Sequence, residues 1–482
     1  MLFFHVKIIF MPKLKIALLV LINSFAFPAF SQVYITNVTI VDVVKQELVP
    51  DQTVVINDGI ISSIQLSKKV KLPSGVTVID GTGIYLMPGM TDAHVHFFQS
   101  GGLYTRPDAI DLRKFHPYEN EITWVHDNME DLLRRYVKAG ITSVMDVGSN
   151  YHFLQQRDSF ENKSYAPHIF MTGPLLTSYE PPVYKNKGIE EPFILVKTPE
   201  DGINGVQAEL PYHPDFIKIW YIVSPNKDSL QASAREFEPV AKAIIEEAHK
   251  HHLKVAVHAT QRITAQLAVE SGCDYLVHGV EDEIVSDEFV KLLKSHNVID
   301  CPTLTVEDGY YETFGQNKSY SAYDVTMSNP VQLQSIYDLK TLPDTALTHF
   351  YKRRFTNSAI IKGWRHDDSV RMVNLKKMSD GGVIIVAGTD AGNIGTQHAS
   401  SFFGELLAMK RSGLSNWQII RSATINPAKI LKKQADGGSI SVGNKADLVL
   451  LDGNPVKNLE NLTKVNLVIN KGQVINPATI LK

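Results

Sequence analysis

Short apolar segments with β character alternate with amphipathic helical patterns through the middle of the chain, which predicts repeated strand–helix units. The predicted strands are Met87–His96, Thr142–Val147, His168–Thr172, Phe216–Trp220, Lys254–His258, Tyr275–His278, Val298–Pro302 and Val383–Asp390. The clearest predicted helices are Glu236–His252, Ile263–Ser271 and Asp287–His296. Eight strands in this arrangement predict an α/β fold, a closed (β/α)8 TIM barrel.

Both ends of the chain consist instead of short strands separated by tight turns. The predicted N-terminal strands are Val33–Val43, Gln52–Ile56 and Ile60–Gln65. The predicted C-terminal strands are Ala446–Asp452, Val465–Ile469 and Gly472–Ile475. Neither end can bury a core by itself. We therefore expect residues 32–85 and 435–482 to form one small composite β-sandwich domain, and residues 86–434 to form the barrel.

Two connections between predicted strands are much longer than the others. Residues 173–214 are rich in Pro, Tyr and Lys, and residues 303–382 are polar, aromatic and partly helical. Connections of this length are usually functional lids or disordered segments. Both leave the end of the barrel that carries active sites, so we expect them to border the site.

Composition and charge exclude some classes of function. The 482 residues suffice for a large domain and a smaller one. The 48 Lys and Arg residues nearly balance the 51 Asp and Glu residues, and the net charge of −3 gives no reason to expect a nucleic acid or an anionic membrane as partner. Cys273 and Cys301 are too few for a disulfide framework, and we expect both to be buried free thiols.

The first 31 residues have the pattern of an export signal peptide. Lys13 and Lys15 precede an apolar run over Ile16–Leu21, and small residues stand at the offsets for cleavage before Gln32. The apolar run is shorter than a typical membrane span, and a retained N-terminal anchor is the alternative. We expect a periplasmic or secreted protein with no membrane attachment after cleavage.

Six side chains with the chemistry of a metal centre lie at or near the C-terminal ends of predicted barrel strands. They are His94, His96, Lys218, His258, His278 and Asp390. A parallel barrel carries its active site at this end, so residues far apart in sequence converge there. Imidazole and carboxylate ligands suit zinc and related divalent ions, and a catalytic site keeps one position open for water. The sequence therefore predicts a catalytic metal centre.

Lys218 is the unusual member of this set, because a protonated ammonium cannot bind a metal ion. It fits if its amine is neutral and has reacted with carbon dioxide to give a carbamate, which can bridge two metals. We therefore expect two divalent ions, zinc by ligand type, and a carbamate on Lys218. A salt-bridged Lys218 beside a single metal ion is the alternative.

In its motifs the chain resembles the amidohydrolase superfamily. These motifs are Met87-Pro-Gly-Met-Thr-Asp-Ala-His-Val-His96, Lys218, His258, His278, Gly388-Thr-Asp390, Ala423-Thr-Ile-Asn-Pro-Ala428 and the segment Gly438–Val449. Within the superfamily the chain is most similar to the imidazolonepropionase-related, prolidase-like dipeptidases. That closer likeness is carried by Gly140–Gly148, Ser224-Pro225 and Cys301-Pro-Thr-Leu304. In one departure, Trp220-Tyr-Ile-Val223 replaces a small glycine-rich stretch that members often have.

The resemblance implies that the ligands are divided between two ions. One ion is held by His94, His96, the modified Lys218 and Asp390, and the other by Lys218, His258 and His278. A hydroxide bridging the ions attacks the substrate, and Asp390 accepts its proton as general base and returns it to the leaving nitrogen as general acid. Tyr221, next to the lysine strand, is a second catalytic candidate, as a hydrogen-bond donor to the substrate.

Other polar residues near these strands have both a structural and a functional interpretation. His116, His126 and His152 follow the first two strands, and we expect them at the surface. The same holds for Tyr184, Lys185 and Lys187, which are also candidates to meet a substrate carboxylate. His398 and Glu405 follow Asp390 and are candidates for orienting the ligands.

The predicted function is hydrolysis of a small amide C–N bond, that of a dipeptide, by an exported metal-dependent enzyme. The same kind of site also hydrolyses lactones, esters and phosphotriesters, because specificity depends on the surrounding loops. A non-catalytic binding protein is a third hypothesis, which the intact ligand set disfavours. The expected partner is a small-molecule substrate, and we expect a homo-oligomer because large barrels of this kind often associate.

Overall fold

The computed structural model of the chain describes residues 32–224, 226–430 and 437–481, with the backbone alone for Lys227. The strands are β1 (Val33–Asp42), β2 (Glu47–Asn57), β3 (Ile60–Leu66), β4 (Thr77–Asp80), β5 (Tyr85–Pro88), β6 (Met90–Val95), β7 (Ile141–Asp146), β8 (His168–Met171), β9 (Leu175–Thr177), β10 (Phe193–Leu195), β11 (Phe216–Trp220), β12 (Lys254–His258), β13 (Tyr275–Val277), β14 (Ile299–Cys301), β15 (Ile384–Ile385), β16 (Leu448–Leu451), β17 (Val465–Asn470) and β18 (Gln473–Ile475).

The helices lie mainly between the strands of the central part of the chain. They are α1 (Tyr118–Lys138), α2 (Tyr151–Arg157), α3 (Pro199–Glu209), α4 (Lys227–Lys250), α5 (Arg262–Glu270), α6 (Asp287–Ser295), α7 (Val306–Phe314), α8 (Ala322–Met327), α9 (Pro330–Ser335), α10 (Thr345–Phe355), α11 (Ser358–Asp380), α12 (Ser401–Arg411) and α13 (Asn416–Ser422). Helix α4 begins at Lys227 rather than at the predicted Glu236, because the Asn226 side chain caps it by accepting from the Asp228 N–H at 3.0 Å.

The central strands form the predicted α/β barrel in two parallel runs. Strands β6, β7 and β8 make one run, and β9, β11, β12, β13, β14 and β15 make the other, with β10 beside β9. Strand β9 continues the path of β8, and the Asp215 N–H before β11 donates to the Met171 carbonyl at 2.8 Å. At the opposite seam the Ala93 N–H donates to the Ala387 carbonyl at 2.9 Å. Backbone hydrogen bonds thus join the two runs at both seams, and the predicted fold class is confirmed.

The predicted first barrel strand, Met87–His96, is two strands in different sheets. Strand β5 pairs with β1 and β16, whereas β6 pairs with β7 in the barrel. Gly89 separates them, and a Cβ at this position would lie 2.1 Å from the Thr142 hydroxyl oxygen. The Thr142 side chain therefore occupies the space that a side chain at position 89 would need. An unbroken apolar run does not reveal this change of sheet.

Strands from both termini share one sheet, in the order β18-β17-β16-β5-β1-β2-β3, with β4 also paired to β1. Its core is formed by buried aliphatic side chains, including Ile35, Val54, Leu86, Leu448 and Ile469. Strand β4 was not predicted, and β5 was predicted only in part, as the beginning of the first barrel strand. The predicted domain boundary after residue 85 falls inside β5, and the one at residue 435 lies outside the described residues.

Neither long connection is an irregular loop. Residues 173–214 contain β9, β10 and α3, and residues 303–382 contain α7 to α11. Helices α7 and α11 pack together through Tyr311 and Trp364, whose rings stack with centroids 4.5 Å apart. The aromatic residues of this segment therefore form packing contacts between its own helices. The polar residues of the segment 303–382, which suggested a loop, lie on helices that have one solvent-facing side.

The predicted export signal, residues 1–31, lies outside the described residues, so export stays a prediction. Among the residues that are described, no helix has both the length and the apolar character needed to span a bilayer. Cys273 and Cys301 are both buried and free, as predicted. Cys301 belongs to the barrel interior, where it packs with Ala93, Phe216 and Tyr275.

Asn470, at the end of β17, joins the terminal sheet to the barrel. Its side chain is fully buried, and its Nδ2 donates to the carbonyls of Ser164 and Ala166, both at 2.7 Å. These carbonyls lie just before β8, in a part of the chain that makes no ladder bonds. The side-chain amide therefore supplies a donor that the local backbone lacks.

We expect Asn470→Ala to lower the free energy of unfolding by about 2 kcal/mol, because two carbonyl oxygens lose their donor in a buried position. Thermal denaturation followed by circular dichroism measures this as a lower Tm. Asn466→Ala is the matched control, since Asn466 lies on the same strand but is exposed and pairs with Asp452 at 2.8 Å. Its effect should stay within about 0.5 kcal/mol. Equal Tm changes in the two variants would contradict the role given to Asn470.

Candidate metal centre and substrate cavity

Three of the six predicted ligands converge at the seam between the first and last barrel strands. The Asp390 Oδ1 lies 3.0 Å from the Nε2 of His96 and 3.2 Å from the Nε2 of His94. The two Nε2 atoms are themselves 3.2 Å apart. All three side chains are buried, and their ligand atoms form a compact set of the kind that surrounds a metal ion.

The hydrogen bonds of His96 show that this set fits a cation. Its Nδ1 lies 2.7 Å from the Gly148 carbonyl, which only accepts, so Nδ1 carries the proton. In the neutral ring the Nε2 lone pair then faces the Asp390 carboxylate oxygen at 3.0 Å. Two electron pairs at this distance repel each other unless a positive charge lies between them. A divalent ion satisfies this requirement without further change of the protein.

Buried carboxylates behind the ligands hold the backbone in place. Asp92 accepts hydrogen bonds from the Thr389 N–H at 3.0 Å and the Thr389 hydroxyl at 2.8 Å, which links β6 to the segment that carries Asp390. Asp146 accepts from the N–H groups of Phe97 at 3.0 Å and Gly148 at 3.2 Å. Burial raises the pKa of Asp92 to about 8 and that of Asp146 to about 7. Both groups thus orient the ligands from outside the metal position.

Two of the ligand residues have a backbone conformation that L-amino acids rarely adopt. The φ angle is 75° at His278 and 60° at Asp390. Neither is a glycine, so each position stores conformational strain that the surrounding packing must hold. At Asp390 the holding contact is the hydrogen bond from its N–H to the His94 carbonyl, at 2.8 Å. The strain turns both side chains toward the axis of the barrel.

The other three predicted ligands lie beside the first three. The His258 and His278 rings are 4.4 Å apart, and His278 is 4.9 Å from the His94 ring. Lys218 is almost fully buried, and burial lowers its pKa to about 7. A large share of its amine is therefore neutral near pH 7, which is the form that reacts with carbon dioxide. The structure brings all six predicted residues to one end of the barrel.

A cavity of about 340 Å³ opens above these ligands. Its walls combine apolar side chains, among them Leu175, Phe193 and Trp220, with charged ones. The charged and polar residues that sequence reasoning missed are Arg106, Glu281, Glu307, Tyr310 and Arg371. Only Glu281 gave a signal in the sequence, because it follows His278 at a strand end. Arg106 comes from the connection between β6 and α1, Glu307 and Tyr310 come from helix α7, and Arg371 comes from helix α11. No strand pattern marks these positions.

The two arginines of the cavity differ in their partners. Arg106 makes a bidentate ion pair with Asp108, and its third nitrogen donates to the Tyr310 hydroxyl at 2.9 Å. Arg371 is 5% exposed and lies 3.8 Å from Glu281 and 3.7 Å from Asp368, ion-pair distances that are too long for a hydrogen bond. Its buried Nε has no hydrogen-bond partner among the described residues. Arg371 is therefore the cation whose donors are still available to a ligand.

The prediction that Tyr221 donates to the substrate is corrected by its position. Its hydroxyl donates to the Ala234 carbonyl of helix α4, and its ring packs on Phe237 with centroids 5.0 Å apart. The side chain is buried in the main core and does not line the cavity. Alternation along the strand explains this, because Trp220 faces the cavity and its neighbour faces the helices.

The remaining candidates have structural partners. His398 bonds to the Tyr136 hydroxyl at 2.9 Å and the Gln99 carbonyl at 2.8 Å, and Glu405 accepts from the N–H groups of Leu304 and Thr305. Neither contacts a ligand directly.

The loop and surface candidates also have partners of their own. His116 lies 3.5 Å from Glu121, Lys185 lies 3.5 Å from Glu180, and Lys187 pairs with Glu119. Tyr184 is buried and donates to Asp108 at 2.7 Å, behind Arg106. His126 and His152 pair with Glu190, outside the cavity.

Comparisons with known proteins agree with this geometry. A search of curated proteins found no match. Among solved structures, a Xaa-Pro dipeptidase with bound methionine in its active site is 22% identical, with 92% of this chain and 100% of that chain covered and a TM-score of 0.69. Phenylurea hydrolase B is 19% identical over 93% and 97% of the two chains, with a TM-score of 0.69. The ochratoxinase of A. niger is 17% identical over 92% and 96%, with a TM-score of 0.66.

At these identities the solved structures show a shared fold. The family is shown by a separate match, because the model of the Amidohydrolase family covers residues 85–475, which include the barrel and all six ligand positions. The chain therefore belongs to the amidohydrolase family and is a metal-dependent hydrolase that acts on carbon–nitrogen bonds.

Proposed function

We propose that this enzyme hydrolyses the amide bond of a small substrate that carries both a carboxylate and an ammonium group, as a dipeptide does. The observation that carries the proposal is the charge pattern of the cavity. Arg371 has donors available for a carboxylate, and Glu281 and Glu307 are carboxylates on the same wall. A neutral lactone or ester would offer no carboxylate to these donors, so Arg371 would keep only its longer ion pairs with Glu281 and Asp368.

The metal centre of the proposal uses all six ligands. His94, His96, Lys218 and Asp390 would hold one divalent ion, and Lys218, His258 and His278 would hold the other, with zinc as the ion and a carbamate on Lys218. When bound, such ions lower the pKa of water and polarise a substrate carbonyl. The observation that supports a carbamate is the burial of the Lys218 amine beside three imidazoles.

Asp390 is the proton carrier of the proposal. Its Oδ1 faces the two ligand imidazoles, and its Oδ2 lies 3.9 Å from the Nε2 of His278. Asp390 also lines the cavity, so the carboxylate borders both the metal position and the space for the substrate. It would accept a proton from the attacking water and deliver it to the leaving nitrogen.

The shape of the cavity supports a compact substrate. A volume of about 340 Å³ is at the small end of the range for ligand sites. Leu175, Phe193 and Trp220 offer apolar surface to a side chain, while the charged residues would fix the two ends of the substrate. The names of the similar structures, a Xaa-Pro dipeptidase and hydrolases named for phenylurea and ochratoxin, agree with this class of reaction.

We expect the zinc-loaded enzyme to cleave members of a dipeptide library and to leave a panel of lactones and phosphotriesters intact. Mass spectrometry of the products measures both. Asp390→Asn is the control for activity from contaminants, because loss of a general base should lower turnover by about two orders of magnitude or more. Cleavage of lactones by the loaded enzyme without cleavage of any dipeptide would refute the proposed function.

We expect Lys218→Ala to lower turnover by at least about 100-fold. Removing a group that only orients a metal ligand already lowers metal affinity or activity by about 10–100-fold. Short carboxylic acids such as acetate and propionate should restore part of the activity by occupying the place of the carbamate. The matched control is Asp390→Asn, which the same acids should not restore. If neither acid raises the activity of Lys218→Ala while metal content is normal, the lysine has no bridging role.

We expect Arg371→Met to reduce the preference for a dipeptide over its C-terminal amide by about 10–100-fold in kcat/KM, because a hydrogen bond to a charged group contributes about 1.5–3 kcal/mol. Steady-state kinetics on the two substrates measures the ratio. Arg365→Met is the matched control on the same helix, with a side chain 56% exposed. An unchanged ratio in Arg371→Met would show that another group binds the substrate carboxylate.

A further inference from the structure

A second group of metal-ligand side chains lies outside the substrate cavity. It consists of His126 on helix α1, His152 on α2 and Glu190 in the turn Gly188–Glu190. Their ligand atoms all lie within 4.8 Å of one another, and the two rings have centroids 3.9 Å apart. None of these residues lines the cavity above the barrel ligands.

The protonation state of His126 is determined by its neighbour Gln156. The Gln156 Nε2 donates to the His126 backbone carbonyl at 3.1 Å, which orients the amide so that its Oε1 faces the ring. The His126 Nδ1 lies 2.7 Å from that oxygen and must carry a proton. In the neutral ring the Nε2 atom therefore carries a lone pair, and this nitrogen lies 3.2 Å from the Glu190 Oε2.

Either a second proton on the ring or a metal ion between the ring and the carboxylate satisfies this contact. The Oε1 of the same carboxylate contacts the Nδ1 of His152, so one carboxylate faces two imidazole nitrogens. Asn150 donates to Oε2 at 3.0 Å and keeps the carboxylate in place.

We propose that His126, His152 and Glu190 bind one zinc ion. Two imidazoles and one carboxylate are a ligand set that zinc accepts, and a water molecule completes its usual four ligands. Space for that water is available because the His152 side chain is 41% exposed. The amides of Gln156 and Asn150 hold His126 and Glu190 from outside, as supporting residues do around metal sites.

The ion would fasten the connection between β9 and β10 to helices α1 and α2. This connection borders the substrate cavity, because Leu175 and Phe193 on those two strands line it. It also carries Tyr184, whose hydroxyl bonds to Asp108 beside Arg106. Zinc at this second site would thus stabilise one wall of the cavity without contacting the substrate.

The experiment starts from the full-length protein freed of metal by a chelator and dialysed against Zn2+. Elemental analysis compares the wild type with His152→Ala and with Glu190→Gln, which keeps the shape of the side chain. We expect the wild type to bind about one ion more per chain than either variant, because a carboxylate or an imidazole is missing from the set. The control is His249→Ala, since His249 pairs with a single carboxylate, that of Asp274, at 2.8 Å.

A second measurement separates metal binding from a hydrogen-bonded cluster. Lys185 and Lys187 lie in the fastened connection, and trypsin cleaves after lysine. We expect Zn2+ to slow cleavage at these two positions in the wild type and in His249→Ala, but not in Glu190→Gln. The proposal would be overturned by equal zinc content in the wild type and the three variants, together with a wild-type cleavage rate that is the same with and without Zn2+. Zinc content and cleavage rate are both compared between variants that share the same barrel site. The outcome is therefore independent of the ions bound at the barrel site and of the activity of the enzyme.

Discussion

The hydrogen bond from the Asp390 N–H to the His94 carbonyl, at 2.8 Å, closes the barrel at its metal end. It joins residues nearly 300 positions apart in the chain and brings the Asp390 carboxylate against the imidazoles of His94 and His96. Asp92 reinforces the same seam through its bonds to Thr389. The position of the cation follows from these backbone contacts, because they decide where the three ligand side chains meet.

A barrel closed in this way supplies the metal centre but little of the specificity. The cavity walls come largely from the connections after β6, β8 and β14 and from helix α11. Arg106 is neutralised by Asp108, whereas the buried Nε of Arg371 has no hydrogen-bond partner within the part of the chain that the structure describes. Specificity for a charged substrate would therefore depend on one arginine whose position is set by helix packing. That division between a fixed barrel and variable walls is common among barrel enzymes.

Strain and buried charge are concentrated at the same end of the molecule. His278 and Asp390 have positive φ angles, and burial raises the pKa values of Asp92 and Asp146 and lowers that of Lys218. Such features cost stability and persist only where surrounding contacts hold them. The terminal sheet contributes to that support, since β5 leads directly into β6 and Asn470 bonds to the segment before β8.

The sequence by itself determined the fold class and singled out the six candidate ligand residues that the structure brings to one end of the barrel, because strand periodicity and residue type are local properties. It also placed strands such as Phe216–Trp220 and Lys254–His258 at their observed bounds. The break at Gly89 depended on a contact with Thr142 on another strand, which no local pattern encodes. Tyr221 was misassigned although alternation along the strand places it on the face opposite Trp220, and its partner on helix α4, the Ala234 carbonyl, is visible only in the tertiary structure. Arg371 and the His126, His152 and Glu190 set became visible only in the tertiary structure, because their partners come from distant segments.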